Sequence, residues 1–297
     1  MLRTTDGTLA AGPDNDSPQD GSAVDYSGAD DVPGGDGAHD ETSLVGKAFL
    51  ILNAVAASQA GATISYLSAS TRLPRSTVHR ISCTLVDWGA LVRTNSGLQL
   101  GMRLFELGGL VPTQTRLRRE ATPYMADLYT STRQTIHLGV LDGTDVVCAA
   151  KLAGHEPATS PSQVGVRIAA HQCSLGKAIL AFAPERTVER VIATGLPAAT
   201  GNTITSPDLL RRQLVEIARV GVAFDREEGT VGVRCVAAPV LDANGESIAA
   251  ISITAPRAKF HAQEFAAAVR AAALGISRHH GYRCAIPPAS VTATSRV

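Results

Sequence analysis

The chain has 297 residues, 44% hydrophobic and 18% charged, enough apolar residue for a sizeable core and, by length, for about two domains. Its apolar runs break well short of the ~18–20 residues that cross a bilayer, and the first twenty residues lack the apolar stretch of a secretory signal, so a membrane-spanning or exported protein is not expected. Five widely spaced cysteines (Cys83, Cys148, Cys173, Cys235 and Cys284) make neither a disulfide framework nor a Cys-x-x-Cys zinc knuckle, and fit a reducing cytoplasm.

A net charge of zero hides an asymmetry. Residues 1–42 hold ten acids against Arg3 alone, which leaves 26 basic and 17 acidic residues in the remainder. This first segment is rich in Gly, Asp, Ser and Pro with almost no bulky apolar residue, and is expected to be a disordered acidic tail. Within 43–105, Lys47, Arg72, Arg75, Arg80, Arg93 and Arg103 face only Asp87, so a basic module follows the acidic tail and points to a polyanionic partner.

Residues 43–102 read as three helices and a hairpin. Leu44, Ala48, Leu52 and Val55 have helical spacing over Leu44 to Ala57. A second helix runs from Ile64 to Thr71, with Ile64, Leu67 and Ala69 inward. After Leu73-Pro74 a third runs from Arg75 to about Trp88, with Val78, Ile81 and Leu85 on one face and Gly89 as its stop. Leu91-Val92-Arg93 and Leu98-Gln99-Leu100, joined through Gly97, read as a hairpin. Residues 103–133 read as a helical linker with a Leu104, Leu107, Leu110 stripe and a new helix starting at Thr122-Pro123.

Residues 134–284 alternate strands (Thr135–Leu141, Val146–Leu152, Val164–Ala169, Cys235–Leu241, Ser247–Thr254) with helices (Gly176–Phe182, Pro184–Ala193, Pro207–Val220, Ala262–Arg278). Hairpin turns at Asp142-Gly143 and Asp242–Gly245 predict an antiparallel sheet flanked by helices, an α+β domain. Residues 285–297 read as a flexible tail.

The helix–turn–helix–hairpin order predicts a DNA-binding module. Burying Val78, Ile81 and Leu85 turns Ser76, His79, Arg80 and Cys83 outward, with Thr77 on the flank. Such side chains meet base edges and phosphates when a helix enters the major groove. Arg75 sits at the helix start, where a phosphate is favoured, and Arg93 lies on the hairpin. The competing reading is a three-helix packing module whose basic face is merely solvated.

Gly46-Lys47-Ala48, Leu73-Pro74-Arg75-Ser76-Thr77-Val78-His79-Arg80 and Leu91-Val92-Arg93 resemble the isocitrate lyase regulator (IclR) family. So do Ser174-Leu175-Gly176-Lys177-Ala178, Gly221-Val222-Ala223-Phe224-Asp225-Arg226-Glu227-Glu228 and Gly232-Val233-Arg234-Cys235-Val236-Ala237-Ala238-Pro239. The resemblance covers about 44–280. It implies an N-terminal winged helix-turn-helix and a C-terminal GAF/PAS-like effector-binding domain. The implied activity is repression or activation from a double-stranded DNA operator under a small-molecule effector, such as a small organic or aromatic acid. The implied assembly is a homodimer or homotetramer with no membrane association, no cofactor and no enzymatic role. Effector contacts are implied at Ser174, Leu175, Asp225, Cys235, Ser252 and Thr254. Two departures, Val222 for a usual Tyr and His171-Gln172-Cys173 for a commoner His-Ala-Thr, fall near the implied pocket and point to a different ligand.

The residues alone leave that pocket open. Ser252 and Thr254 share a face of one strand, Cys235 heads the strand predicted to pair with it, and the helix start at Gly176 offers N–H groups to a carboxylate. Asp225 would repel an anion unless it accepts a ligand hydroxyl. The alternative makes them ordinary sheet residues. Three other readings remain beside these: a metal site from His137, His155 and His171 with Cys173 and Cys235, a Cys235–His171 nucleophile, and a ligand- or metal-sensing protein acting through protein contacts instead of DNA. His279-His280 reads as an exposed helix end, and no phosphate-binding loop occurs.

Overall fold

The computed structural model describes residues 42–58, 60–155 and 163–283. The expectations for the acidic tail, for Cys284 and for 285–297 lie outside the described residues.

The first core forms around three helices. Helix α1 (Leu44–Ala57) is capped by Ser43, whose Oγ accepts the Gly46 N–H at 2.9 Å, and α2 (Ile64–Thr71) by Thr63, which accepts from Tyr66. Each cap satisfies an N–H that has no partner inside its helix. Helix α3 (Arg75–Asp87) follows Pro74 directly. Strands β1 (Leu91–Thr94) and β2 (Gly97–Leu100) form the hairpin. Gly97 turns it at φ +126°, and a Cβ there would stand 2.7 Å from the Ala62 carbonyl oxygen, so only glycine fits. Ile51, Val55, Leu67, Val78, Ile81, Leu91 and Leu98 fill the space between these elements. Leu44 and Ala69, expected inward, are exposed. Ile51 and Val55, one turn apart, are the fully buried α1 residues, with Ala48, Leu52 and Ala54 partly buried against the same core.

Helix α4 (Met102–Gly109) buries no residue. Leu107 and Leu110 of the expected stripe are exposed, as are Met102 and Phe105 beside them and Leu44, Val45 and Phe49 on α1. Helix α5 (Pro112–Thr132) is one continuous helix with Pro123 inside it, which corrects the expected start at Thr122-Pro123. Thr122 does not cap a helix. Its Oγ1 donates to the Arg118 carbonyl at 2.7 Å, the back-bond of an interior threonine. Leu117, Ala121, Met125 and Leu128 are buried along one face of α5, and that packing outweighs the one backbone hydrogen bond an interior proline removes.

The larger core is built on a six-stranded sheet in the order β5-β4-β3-β8-β7-β6, antiparallel throughout. Its strands are β3 (Thr135–Asp142), β4 (Asp145–Leu152), β5 (Arg167–Ala169), β6 (Ala223–Arg226), β7 (Val233–Leu241) and β8 (Ser247–Pro256). The helices between and after them are α6 (Ser174–Leu180), α7 (Glu185–Ala193), α8 (Pro207–Val220) and α9 (Ala262–His279). Strand β5 is shorter than the expected Val164–Ala169, with Val164 exposed. Strand β6 was not expected, and α6 starts two residues before Gly176.

Alternation along the strands gives the sheet two different faces. Ile136, Leu138, Val236, Val240, Ile251 and Ile253 pack against α5 and against Phe265, Val269 and Ile276 of α9. The opposite side presents Ala223, Ala237 and Ala250 to Ile179, Val188, Leu210 and Leu214 of α6, α7 and α8. No helix among the described residues is long and apolar enough to cross a membrane.

Candidate functional site

Small side chains on the α6 side of the sheet leave a cavity of about 280 Å³. Ser174, Leu175, Asp225, Cys235, Ser252 and Thr254 all line it, although they come from four separate elements. The register explains their meeting. Cys235 on β7 lies opposite Thr254 on β8, and Asp225 on β6 lies opposite Cys235, so three strands set Asp225, Cys235 and Thr254 in one row. Thr254 Oγ1 donates to Cys235 Sγ at 3.2 Å and lies 3.3 Å from Nδ1 of His137 on β3, which extends the row to a fourth strand. Ser252 stands two residues along from Thr254 on the same face.

Ser174 and Leu175 open α6 above this row. Gly176 is required there, because a Cβ would lie 2.1 Å from the Ala170 carbonyl oxygen. The Gly176 N–H is not open to a ligand as the sequence suggested. It donates to the Sγ of the capping Cys173 at 3.4 Å.

Burial sets the protonation of the cavity wall. It pushes the Asp225 carboxyl up to about 6, against the Glu228 N–H that donates to its Oδ1 at 2.7 Å. His137 falls to about 4 through burial, assisted by Lys151. Burial raises Cys173 to about 12 and lifts the Cys148 and Cys235 thiols too, so all three are neutral thiols at pH 7. Behind the wall, Lys177 is fully buried, with its Nζ 2.5 Å from Glu228 Oε2 and 3.2 Å from Gln213 Oε1. At the mouth, Arg167 binds Asp142 at 2.7 Å and Asp145 at 3.4 Å.

Sequence reasoning had assigned no effector role to His137, Cys148, Cys173 or Arg167, nor any role to the Lys177–Glu228 pair behind them. Two signals were available. One was a lone lysine inside the otherwise small and apolar Ser-Leu-Gly-Lys-Ala-Ile-Leu. The other was polar residues at alternate positions of the apolar Thr-Ile-His-Leu strand. Of the two departures, only Gln172-Cys173 reaches the cavity. Val222 lies in the core against α9, on the other side of the sheet, because β6 turns Asp225 toward the cavity and residues at odd spacing from it away.

The metal and nucleophile readings lose their geometry. His155 is exposed, and His171 Nε2 is 3.0 Å from the Pro197 carbonyl oxygen. No group of three or more potential metal ligands forms among the described residues. His280 is not an exposed helix end: it lies half-buried, 2.7 Å from Glu120 on α5.

In the first core, Arg75, Ser76, His79 and Arg80 are exposed on α3, Thr77 is half-buried beside them, and Arg93 is exposed on β1. Arg75 Nη2 donates to Ser65 Oγ on α2, and Arg93 Nη2 contacts Cys83 Sγ at 3.2 Å. Thus Arg75 is braced against α2 and Arg93 against α3. Arg103, Arg116, Arg167, Arg211, Arg219 and Arg234 each meet a carboxylate. Among the described residues Arg75, Arg80 and Arg93 form no ion pair with a carboxylate, so this face keeps its positive charge.

A winged helix-turn-helix with a cationic face, followed by a sheet domain holding a small, mainly apolar cavity with a few polar groups, defines a DNA-binding transcription regulator with an effector-binding domain. The chain belongs to the IclR family. The IclR helix-turn-helix domain matches residues 44–95, and the bacterial transcriptional regulator IclR C-terminal domain matches 110–278. The chain is 34% identical to the HTH-type transcriptional regulator BhcR of Paracoccus denitrificans over 75% of this chain and 81% of that one. It is 32% identical to KdgR of Escherichia coli over 82% and 94%. Among solved structures it is similar to an IclR homolog from Microbacterium hydrocarbonoxydans complexed with 4-hydroxybenzoate, with TM-score 0.72, 30% identity and coverage of 80% and 98%. The Thermotoga maritima IclR structure gives TM-score 0.68 at the same identity and coverage. These relatives are transcriptional regulators, and the family is not one of enzymes.

Proposed function

We propose that this chain is a cytoplasmic regulator whose affinity for a double-stranded DNA operator is controlled by a small organic or aromatic acid held in the 280 Å³ cavity. Residues 43–102 bind DNA through Arg75, Ser76, Thr77, His79, Arg80 and Arg93. Residues 103–133 link that module to the effector-binding domain at 134–284. Ser174, Leu175, Asp225, Cys235, Ser252 and Thr254 contact the effector. The observation that carries this reading is their convergence, from four elements spread over eighty residues, on the wall of one cavity. The 4-hydroxybenzoate complex of a similar protein supports the ligand class.

The working unit is a homodimer or homotetramer. Leu44, Val45 and Phe49 on α1 and Met102, Phe105 and Leu110 on and after α4 are exposed, and are the apolar residues a second copy would cover. Pairing two recognition helices is what a palindromic operator requires.

A thermal-shift screen of small carboxylic and aromatic acids, followed by operator titration with and without each hit, tests the reading. The expected effect of the effector on operator affinity is about 5–150-fold. Ser252→Ala with Thr254→Ala should abolish that response and leave ligand-free DNA binding near wild type. A double variant that responds normally would move the effector site elsewhere.

A further inference from the structure

The carboxylate on the cavity wall, Asp225, forms no ion pair among the described residues. Asp225 on β6 stands in the wall, and Glu228 follows three residues later, beyond the end of that strand. The buried cation behind them is Lys177 of α6, and its ammonium is already held by Glu228 and by Gln213 of α8. At the mouth Arg167 of β5 is shared between Asp142 and Asp145. Of these charged groups only Asp225 and Arg167 line the cavity. Of the other titratable groups on the wall, Cys173 before α6 and Cys235 on β7 are neutral thiols and His137 on β3 is a neutral imidazole at pH 7, while the Lys151 cation on β4 acts on His137 and Cys148 and not on Asp225. Glu227 turns away to Arg234 and Arg257. An effector carboxylate entering beside an ionised Asp225 would add a further uncompensated charge to a buried site, which costs far more than a proton taken from water near neutral pH.

We propose that the cavity takes a monocarboxylate effector together with one proton, held on Asp225, whose carboxyl then donates a hydrogen bond to the ligand carboxylate. Ligand anion, solvent proton and ionised Asp225 combine into one complex with no other change of charge. The site selects singly charged acids, because a second carboxylate would have no proton-bearing partner. Operator control is thereby tied to pH. This inference rests on the acid-effector reading above.

The test uses the full chain and three probes, benzoate, 4-hydroxybenzoate and pyruvate, with uncharged benzyl alcohol as a control. Calorimetry in buffers of different ionisation enthalpy reads the proton count. Since burial holds Asp225 at about 6, carboxylate binding at pH 7 should take up about 0.9 proton, and affinity should fall about tenfold per pH unit from pH 7 to 8. Benzyl alcohol binding should take up none. Asp225→Asn keeps an oxygen for the Glu228 N–H and carries no charge, so it should bind the acids with no uptake and a flat pH profile. Wild-type uptake below about 0.2 proton overturns the inference without any variant, as does equal uptake by Asp225→Asn. If no acid binds at any pH, the acid-effector reading falls and takes this inference with it.

Discussion

Replacing Lys177 with methionine isolates the buried pair behind the effector wall. Its ammonium lies 2.5 Å from Glu228 Oε2, in a side chain with no solvent exposure. At an effective dielectric of ~20 the attraction is about 7 kcal/mol. Removing two such charges from water costs several kcal/mol for each ion, so the pair as a whole contributes little net stability. Losing one partner is another matter, because the survivor keeps its desolvation cost without its counter-charge. Lys177→Met should therefore destabilise by about 3–5 kcal/mol. Lys177→Met with Glu228→Gln should recover most of that and return to within about 1–2 kcal/mol of wild type. Urea unfolding followed by far-UV circular dichroism measures both, with Glu228→Gln alone completing the cycle. A single variant within 1 kcal/mol of wild type, or a double variant no better than the single, would refute the picture of a closed, mutually dependent pair.

Gly176→Ala would place a methyl 2.1 Å from the Ala170 carbonyl oxygen and should cost at least about 2 kcal/mol, read as a lowered melting temperature; an unchanged melt would mean that α6 can slide. Burial raises the Asp225 carboxyl to about 6 from 3.8, so this group's stabilising contribution is full below about pH 4 and is lost as pH rises through 6. Asp225→Asn should accordingly gain up to about 3 kcal/mol relative to wild type between pH 4 and pH 8, and a gain of the opposite sign would contradict the burial argument. Arg80→Ala should weaken operator binding by about 1–3 kcal/mol and random-sequence binding less; equal losses would remove Arg80 from base readout. Arg93→Ala should make the salt dependence of DNA affinity shallower by about one unit on every sequence, checked by titration at several salt concentrations.

The DNA-binding core was legible because its signals are local. Helical spacing, Pro74, Gly89 and the Gly97 turn each act within a few residues, and the elements fell where those signals put them. The cavity wall was legible only in part. Strand alternation placed Ser252 and Thr254 on one face, but periodicity says nothing about which strand pairs with which. Asp225 joined the row through β6, a four-residue strand too short to announce itself between Gly221 and the loop that follows. Strand β3 brought in His137 by pairing with β8 across more than a hundred residues. Pro123 misled for the opposite reason: its local preference for a helix start is real, but the stripe from Leu117 to Leu128 carries the helix through it. The exposed α1 and α4 residues look like ordinary core residues in sequence, since an exposed apolar stripe has the same pattern as a buried one.

The alternation along β8 separates two kinds of selection within a single strand. Ala249, Ile251, Ile253 and Ala255 belong to the packing against α5 and α9, while Ser252 and Thr254 face the cavity. The same holds for Val236 against Cys235 on β7. A substitution at one of the cavity positions changes what can be recognised while leaving the apolar contacts on the reverse side in place. A single step at such a position can therefore alter the cavity without passing through an unfolded intermediate, so the lining is freer to change than the fold that carries it.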